Sequence, residues 1–219
     1  MSIFNLTLPE IIARVIVIFT AITVHEFAHG FVAYKLGDPT AKYSGRLTLN
    51  PIAHFDPLGA LCMLLFGFGW AKPVPINPMY FRDRKTGSAL TALAGPVSNL
   101  LLTFLSTVIA AAFAAFVCLP YPNGATDFVM DIFLQLALVN ISFAVFNLIP
   151  VPPLDGSKIL GLFLSNNAYY KYMRYESFGL PILMILSITD VLGRILYVLI
   201  NPIYNLWKDF FGWLLNIML

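Results

Sequence analysis

His25-Glu26-Phe27-Ala28-His29 sets two imidazoles four positions apart with a carboxylate beside them. On an α-helix, residues i and i+4 lie nearly one above the other. Both rings can then reach one metal ion while Glu26 stands on the flank. That spacing suits Zn²⁺ with the glutamate as general base. The bland alternative is a set of polar residues that pack helices together. It is weakened by the setting, because ionisable groups crowded into an apolar intramembrane stretch are costly unless they have a function.

A catalytic zinc site needs a third protein ligand and an open position for water. His54 is the remaining histidine and sits in the turn-rich Asn50-Pro51-Ile52-Ala53-His54-Phe55-Asp56-Pro57. It can be read as a ligand or, more simply, as a loop or capping residue. The metzincin pattern would place its third histidine at a position occupied here by Lys35, and Glu176 lies in a polar loop. Asp155, in Pro150-Val151-Pro152-Pro153-Leu154-Asp155-Gly156, is the best candidate. At about 1.5 Å per residue, His29 lies roughly 9 Å short of Lys35, the first charge after the span. Asp155 follows a later span as that span reaches the same side. The prolines also break the helix there, and broken backbone at that depth must face protein or water. The competing reading is a helix stop with a capping aspartate ahead of Lys158–Leu164.

Asn147, at the end of the same span, could donate to an oxyanion or a substrate carbonyl, or could bond helix to helix. Asn99, in Ala94-Gly95-Pro96-Val97-Ser98-Asn99, has the same two readings, with packing the simpler. Arg14 reaches for the outer interface or pairs with Glu10.

These groups need elements to hold them, and the composition says which kind. Of 219 residues, 59% are hydrophobic and 11% charged, against about 25% charged in soluble domains. The mean hydropathy is +0.81. A soluble enzyme and a disordered chain are excluded. The formal net charge of +2 leaves no basic footprint, so no nucleic-acid partner is expected. Cys62 and Cys118 lie in apolar runs and form neither a disulfide framework nor a thiolate metal site.

A spanning helix needs about 20 mainly apolar residues. Leu8–Tyr34 supplies one, read as a retained helix and not a signal peptide. Ser88–Leu119 supplies another, with the helix-breaking Gly95-Pro96 near its start, and Phe128–Ile149 a third. A loop at 165–175 precedes a last apolar pair, Phe178–Val191 and Ile195–Leu206, and the chain ends in an interfacial stretch through Trp207 and Trp213. The expected fold is an all-α membrane protein: a polytopic helical bundle with a three-span catalytic core at 1–160 and C-terminal membrane helices at 161–219. Lys35, Lys42, Arg46, Lys72, Arg82, Arg84 and Lys85 fall in one connection, and Lys158, Lys171 and Arg174 follow the third span. The positive-inside rule puts both regions in the cytosol and the N-terminus outside. Leu58–Trp70 then cannot cross and is read as a re-entrant hairpin.

Taken together, His25–His29, Gly95-Pro96-Val97-Ser98-Asn99 and Asn147-Leu-Ile-Pro-Val-Pro-Pro-Leu-Asp155-Gly156 resemble the site-2 protease family of intramembrane zinc metalloproteases. The resemblance covers roughly residues 8–160. The middle, with Leu49-Asn50-Pro51 through Pro57 and Gly69-Trp70-Ala71-Lys72-Pro73-Val74-Pro75, is similar to the compact prokaryotic members without PDZ or CBS domains. The resemblance implies one zinc ion per chain held by His25, His29 and Asp155, with Glu26 activating water. It implies that Asn147 positions substrate or stabilises the tetrahedral intermediate. It further implies a zinc endopeptidase of a prokaryotic plasma membrane that cuts transmembrane segments near the cytosolic face, in regulated proteolysis or in clearance of signal-peptide remnants. The stretches Gly45–Asn50 or Trp70–Asn77 would offer a strand edge to an unwound substrate. Two rivals are a membrane zinc carrier, which would have no need of Glu26, and a prenyl-protein type zincin, which would expect a glutamate ligand in a membrane helix.

Overall fold

The computed structural model describes residues 7–59, 62 and 69–219, and every regular element among them is helical. Helix α1 (Leu8–Lys35) begins where the Glu10 carboxylate accepts the Thr7 N–H and hydroxyl, at 2.7 and 2.9 Å. The capping box, and not a close Arg14 ion pair, supplies the hydrogen bonds to Glu10. A short helix, α2 (Thr40–Tyr43), follows the turn at Gly37, whose φ of +103° favours glycine. Helix α3 (Arg84–Phe113) starts on Asp83, whose side chain accepts the Thr86 N–H, and widens into a π-helical turn over Ala114–Cys118. Helix α4 (Gly124–Leu148) is capped by Asn123. The chain continues through α5 (Asp155–Leu160), α6 (Asn166–Met173), α7 (Glu176–Ile188) and α8 (Val191–Met218).

Among the described residues, α1, α3 with its π turn, and α4 are long and apolar enough to cross a membrane, with mean hydropathies of 1.9, 2.4 and 2.0. Helices α7 and α8 meet at a bend of 86° and would make a fourth span only as one broken unit. The three-span bundle agrees with the sequence reading, and several details differ. Gly95-Pro96 does not break α3, which runs through Pro96 without interruption. The missing proline N–H removes one helical bond, and burial of Pro96 against neighbouring helices holds the backbone on course. The expected loop at 165–175 is largely helix α6, capped where Ser165 accepts the Ala168 N–H. Trp207 and Trp213 lie on α8, which runs unbroken from Val191 to Met218. Trp207 Nε1 donates to the Thr107 hydroxyl on α3 at 2.6 Å, and Phe210 stacks on Phe104 with ring centroids 5.8 Å apart. The re-entrant hairpin expected over Leu58–Trp70 falls on positions 60, 61 and 63–68, which lie outside the described residues.

The core where α1, α3 and α4 meet is made of small residues, among them Ala21, Ala92, Ala137 and Ala144, each no more than 2% exposed. Small side chains let membrane helices approach closely, where dispersion contacts and interhelical hydrogen bonds hold them. That close approach positions the site.

Candidate metal centre

His25 and His29 stand one turn apart on α1, both buried. Their Nε2 atoms lie 2.9 Å from each other and each lies 3.2 Å from Asp155 Oδ2. Among the described residues, no other donor reaches that carboxylate oxygen. The outer nitrogens are both engaged: His25 Nδ1 donates to Asn99 Oδ1 at 2.6 Å, and His29 Nδ1 donates to the Thr91 carbonyl at 2.7 Å. With Nδ1 protonated on both rings, two nitrogen lone pairs and a carboxylate face one another in a buried space. Such a cluster is repulsive unless a cation sits in it. A tetrahedral zinc with ligands at about 2.0–2.1 Å separates them by about 3.3 Å, within about half an ångström of this triangle. The donor set of two imidazoles and one carboxylate, with each ring oriented by an outer partner, fits zinc.

Local sequence explains how Asp155 arrives. Helix α4 ends at Leu148, and Pro150, Pro152 and Pro153 prevent its continuation. The chain turns back through bonds from Val151 N–H to the Ile149 carbonyl (2.8 Å) and from Leu154 N–H to the Val151 carbonyl (2.9 Å). Gly156 is required, because a Cβ there would collide with the Leu148 carbonyl. Asp155 opens α5 without capping it, so the capping reading does not hold. On the other side, Gly95 of α3 lies against both rings: a Cβ would fall 2.5 Å from His25 Cε1 and 2.6 Å from His29 Nε2.

Glu26 is not part of the converging triangle and accepts the Val74 N–H at 2.8 Å. Val74 belongs to a strap over 69–77 that has no regular secondary structure. The strap is tied down by Lys72 N–H to the His54 carbonyl (3.0 Å), Arg46 to the Lys72 carbonyl (2.6 Å) and Asn77 N–H to buried Asp38 (2.6 Å). His54 is buried, and its Nε2 bonds the Thr48 carbonyl at 2.9 Å, so it holds the 48–54 turn and does not join the metal cluster. Glu176 is exposed at the start of α7. Cys62 and Cys118 are free thiols.

Two cavities meet at the site. The smaller, about 260 Å³, is lined by Glu26, Asn147, Asp155, Ser88 and Lys158. The larger, about 660 Å³, lies between α1, α4 and the α7–α8 pair, with Phe19, Phe143, Leu180 and Leu183 on its walls. His25, Glu26, Asn147 and Pro153 line both. Among the described residues Asn147 bonds no other helix; its Nδ2 donates to the Phe143 carbonyl of its own helix at 3.0 Å.

The sequence reading gave no role to Thr91 or Asn140, and named Val74 only within the Trp70–Asn77 stretch without its bond to Glu26. Thr91 and Val74 act through backbone atoms, which side-chain types cannot reveal. Asn140 left one signal, an amide in the middle of an otherwise apolar span.

Comparison with known proteins agrees with this geometry. The model of peptidase family M50 matches residues 120–189, which include Asn147 and Asp155. YwhC of Bacillus subtilis, a candidate zinc metalloprotease, is 40% identical over 190 residues, covering 85% of each chain. The chain belongs to peptidase family M50. The candidate zinc metalloprotease Rip2 of Mycolicibacterium smegmatis is 28% identical over 179 residues, 80% of this chain and 66% of its own. Its counterpart MJ0611 of Methanocaldococcus jannaschii is 30% identical over 161 residues, 71% and 73% of the two chains. No solved structure matches. As an M50 member, the protein is a zinc-dependent metalloendopeptidase of the site-2 type, built into the membrane.

Proposed function

We propose that His25, His29 and Asp155 hold one zinc ion per chain, that Glu26 is the general base, and that Asn147 positions the substrate carbonyl or donates to the oxyanion. The observation that carries this reading is the convergence of both Nε2 atoms on Asp155 Oδ2. Bound there, zinc would polarise the scissile carbonyl and lower the pKa of a bound water to about 7. Val74 N–H occupies one oxygen of Glu26. The other is left to take the proton of the attacking water and pass it to the leaving amine. A zinc carrier would leave Glu26 without a task, although it lines both cavities beside the ligands.

The substrate we propose is a transmembrane segment of a membrane protein or peptide, cut near the cytosolic face. Its helix must unwind, because helical carbonyls are already bonded. The apolar cavity beside the site supports such an occupant, and the polar one, with Ser88 and Lys158 at its wall, supports a path for water. Pro73 and Pro75 lack N–H groups, so pairing along the 69–77 strap would lean on carbonyl acceptors at those positions. The basic residues near the C-terminal end of α1, the start of α3 and the region after α4 support a cytosolic location for this end. The N-terminus would then lie outside a prokaryotic plasma membrane. We read 1–160 as the core and 161–219 as membrane helices that wall the apolar cavity through Leu180, Leu183, Leu192 and Leu196.

The test is reconstitution into vesicles with a single-span peptide, followed by mass analysis of the products. Cleavage inside the span, toward the end that shares its side with Lys35, is expected. Cleavage confined to soluble flanks would overturn the reading.

A further inference from the structure

His25 and His29 face one ion position but are held by different means. His29 Nδ1 donates straight to a main-chain carbonyl, Thr91. His25 Nδ1 meets a side-chain amide, Asn99, at 2.6 Å. A carbonyl can only accept, whereas an amide can turn either end to the ring, so Asn99 alone does not fix His25. The next contacts do. Asn99 Nδ2 donates to Asn140 Oδ1 at 2.6 Å and to the Ala21 carbonyl at 3.3 Å. Asn140 Nδ2 in turn donates to the Leu136 carbonyl at 2.7 Å.

From the far end, the order is forced. The Leu136 carbonyl draws the NH₂ of Asn140, which leaves the Asn140 oxygen toward Asn99. Asn99 must then offer its NH₂ to Asn140 and Ala21, which leaves its oxygen for the ring. His25 therefore carries its proton on Nδ1, and its Nε2 lone pair points with that of His29 toward Asp155. Both amides are fully buried, so water cannot replace a lost partner.

We infer that Asn140, on α4, is a positioning residue for the metal: through Asn99 it fixes the tautomer and orientation of His25. A helix that supplies no ligand thereby governs a ligand on α1. Outer partners of metal-bound histidines are typically worth about 10–100-fold in affinity. The inference rests on His25, His29 and Asp155 being the ligands and on no step of hydrolysis.

The test uses the full chain in detergent, with zinc affinity measured against a competing chelator and histidine tautomers read by ¹⁵N NMR on the metal-free protein. Asn140→Leu is expected to weaken zinc binding by about 10–100-fold and to shift His25 toward the Nε2-protonated form. Asn140→Asp keeps an oxygen toward Asn99 and should bind zinc more tightly than Asn140→Leu. Thr103→Val removes a hydroxyl that reaches the Ala137 carbonyl of α4 at 3.2 Å and the Asn99 main-chain carbonyl at 3.0 Å. It touches neither relay amide and should leave affinity unchanged. Unchanged affinity in Asn140→Leu, or an equal loss in Thr103→Val, would overturn the inference. So would a wild-type His25 protonated at Nε2, a readout that stands even if the Leu variant fails to fold. Failure of the wild type to bind zinc would strike the ligand assignment instead, and the wild-type His25 spectrum would still decide this inference.

Discussion

The two sides of α1 around His25 are built in opposite ways. Around the outer nitrogen of His25 the packing is closed: Ala21 is buried, Gly95 of α3 leaves no room for a Cβ, and Asn99 bonds Asn140 of α4. Toward α7 and α8 the same helix faces a cavity of about 660 Å³. The closed side fixes the directions of two imidazoles, a task that tolerates little movement. The open side is walled mainly by apolar side chains such as Phe19, Phe143, Leu180 and Leu183 and leaves room for a peptide. One helix thus holds a rigid metal face and an adaptable substrate face, separated by less than one turn.

The contrast can be broken most severely at Glu26, where both cavities meet. Glu26→Gln should lower turnover by about 10²–10⁴-fold while zinc content stays at the wild-type level, as read by metal analysis beside a cleavage assay. On the closed side, Gly95→Ala forces a methyl against both rings and should weaken zinc binding by about 10–100-fold, measured by chelator competition. On the open side, Leu180→Trp narrows the apolar cavity. It should lower kcat/KM for a transmembrane peptide by about tenfold with zinc affinity unchanged; a loss of zinc in this variant would erase the distinction between the two faces. The smallest effect is expected far from the site. Trp207→Phe removes the bond to Thr107 and should cost about 1 kcal/mol of stability, seen as a modest fall in the thermal unfolding midpoint with activity per folded molecule retained.

The His25–His29 pair was legible because helical periodicity is a local property. Asp155 was legible because span length and proline placement fix where the chain re-emerges, and the resemblance to known motifs pointed to the same residue. Asn140 was not, because which face of α4 meets Asn99 depends on the rotation of one helix against another, and an apolar span carries little signal of that rotation. Pro96 misled in the other direction, since a proline removes one hydrogen bond and tight packing can absorb the loss. The 165–175 segment read as a loop because its polar residues have no apolar stripe, yet Ser165 supplies a cap that starts α6.

The most direct test of the account is the zinc content of purified Asp155→Ala beside His54→Ala. Asp155→Ala should lose its zinc and His54→Ala should keep it, because only the aspartate reaches both imidazoles. Full zinc occupancy in Asp155→Ala would contradict the account.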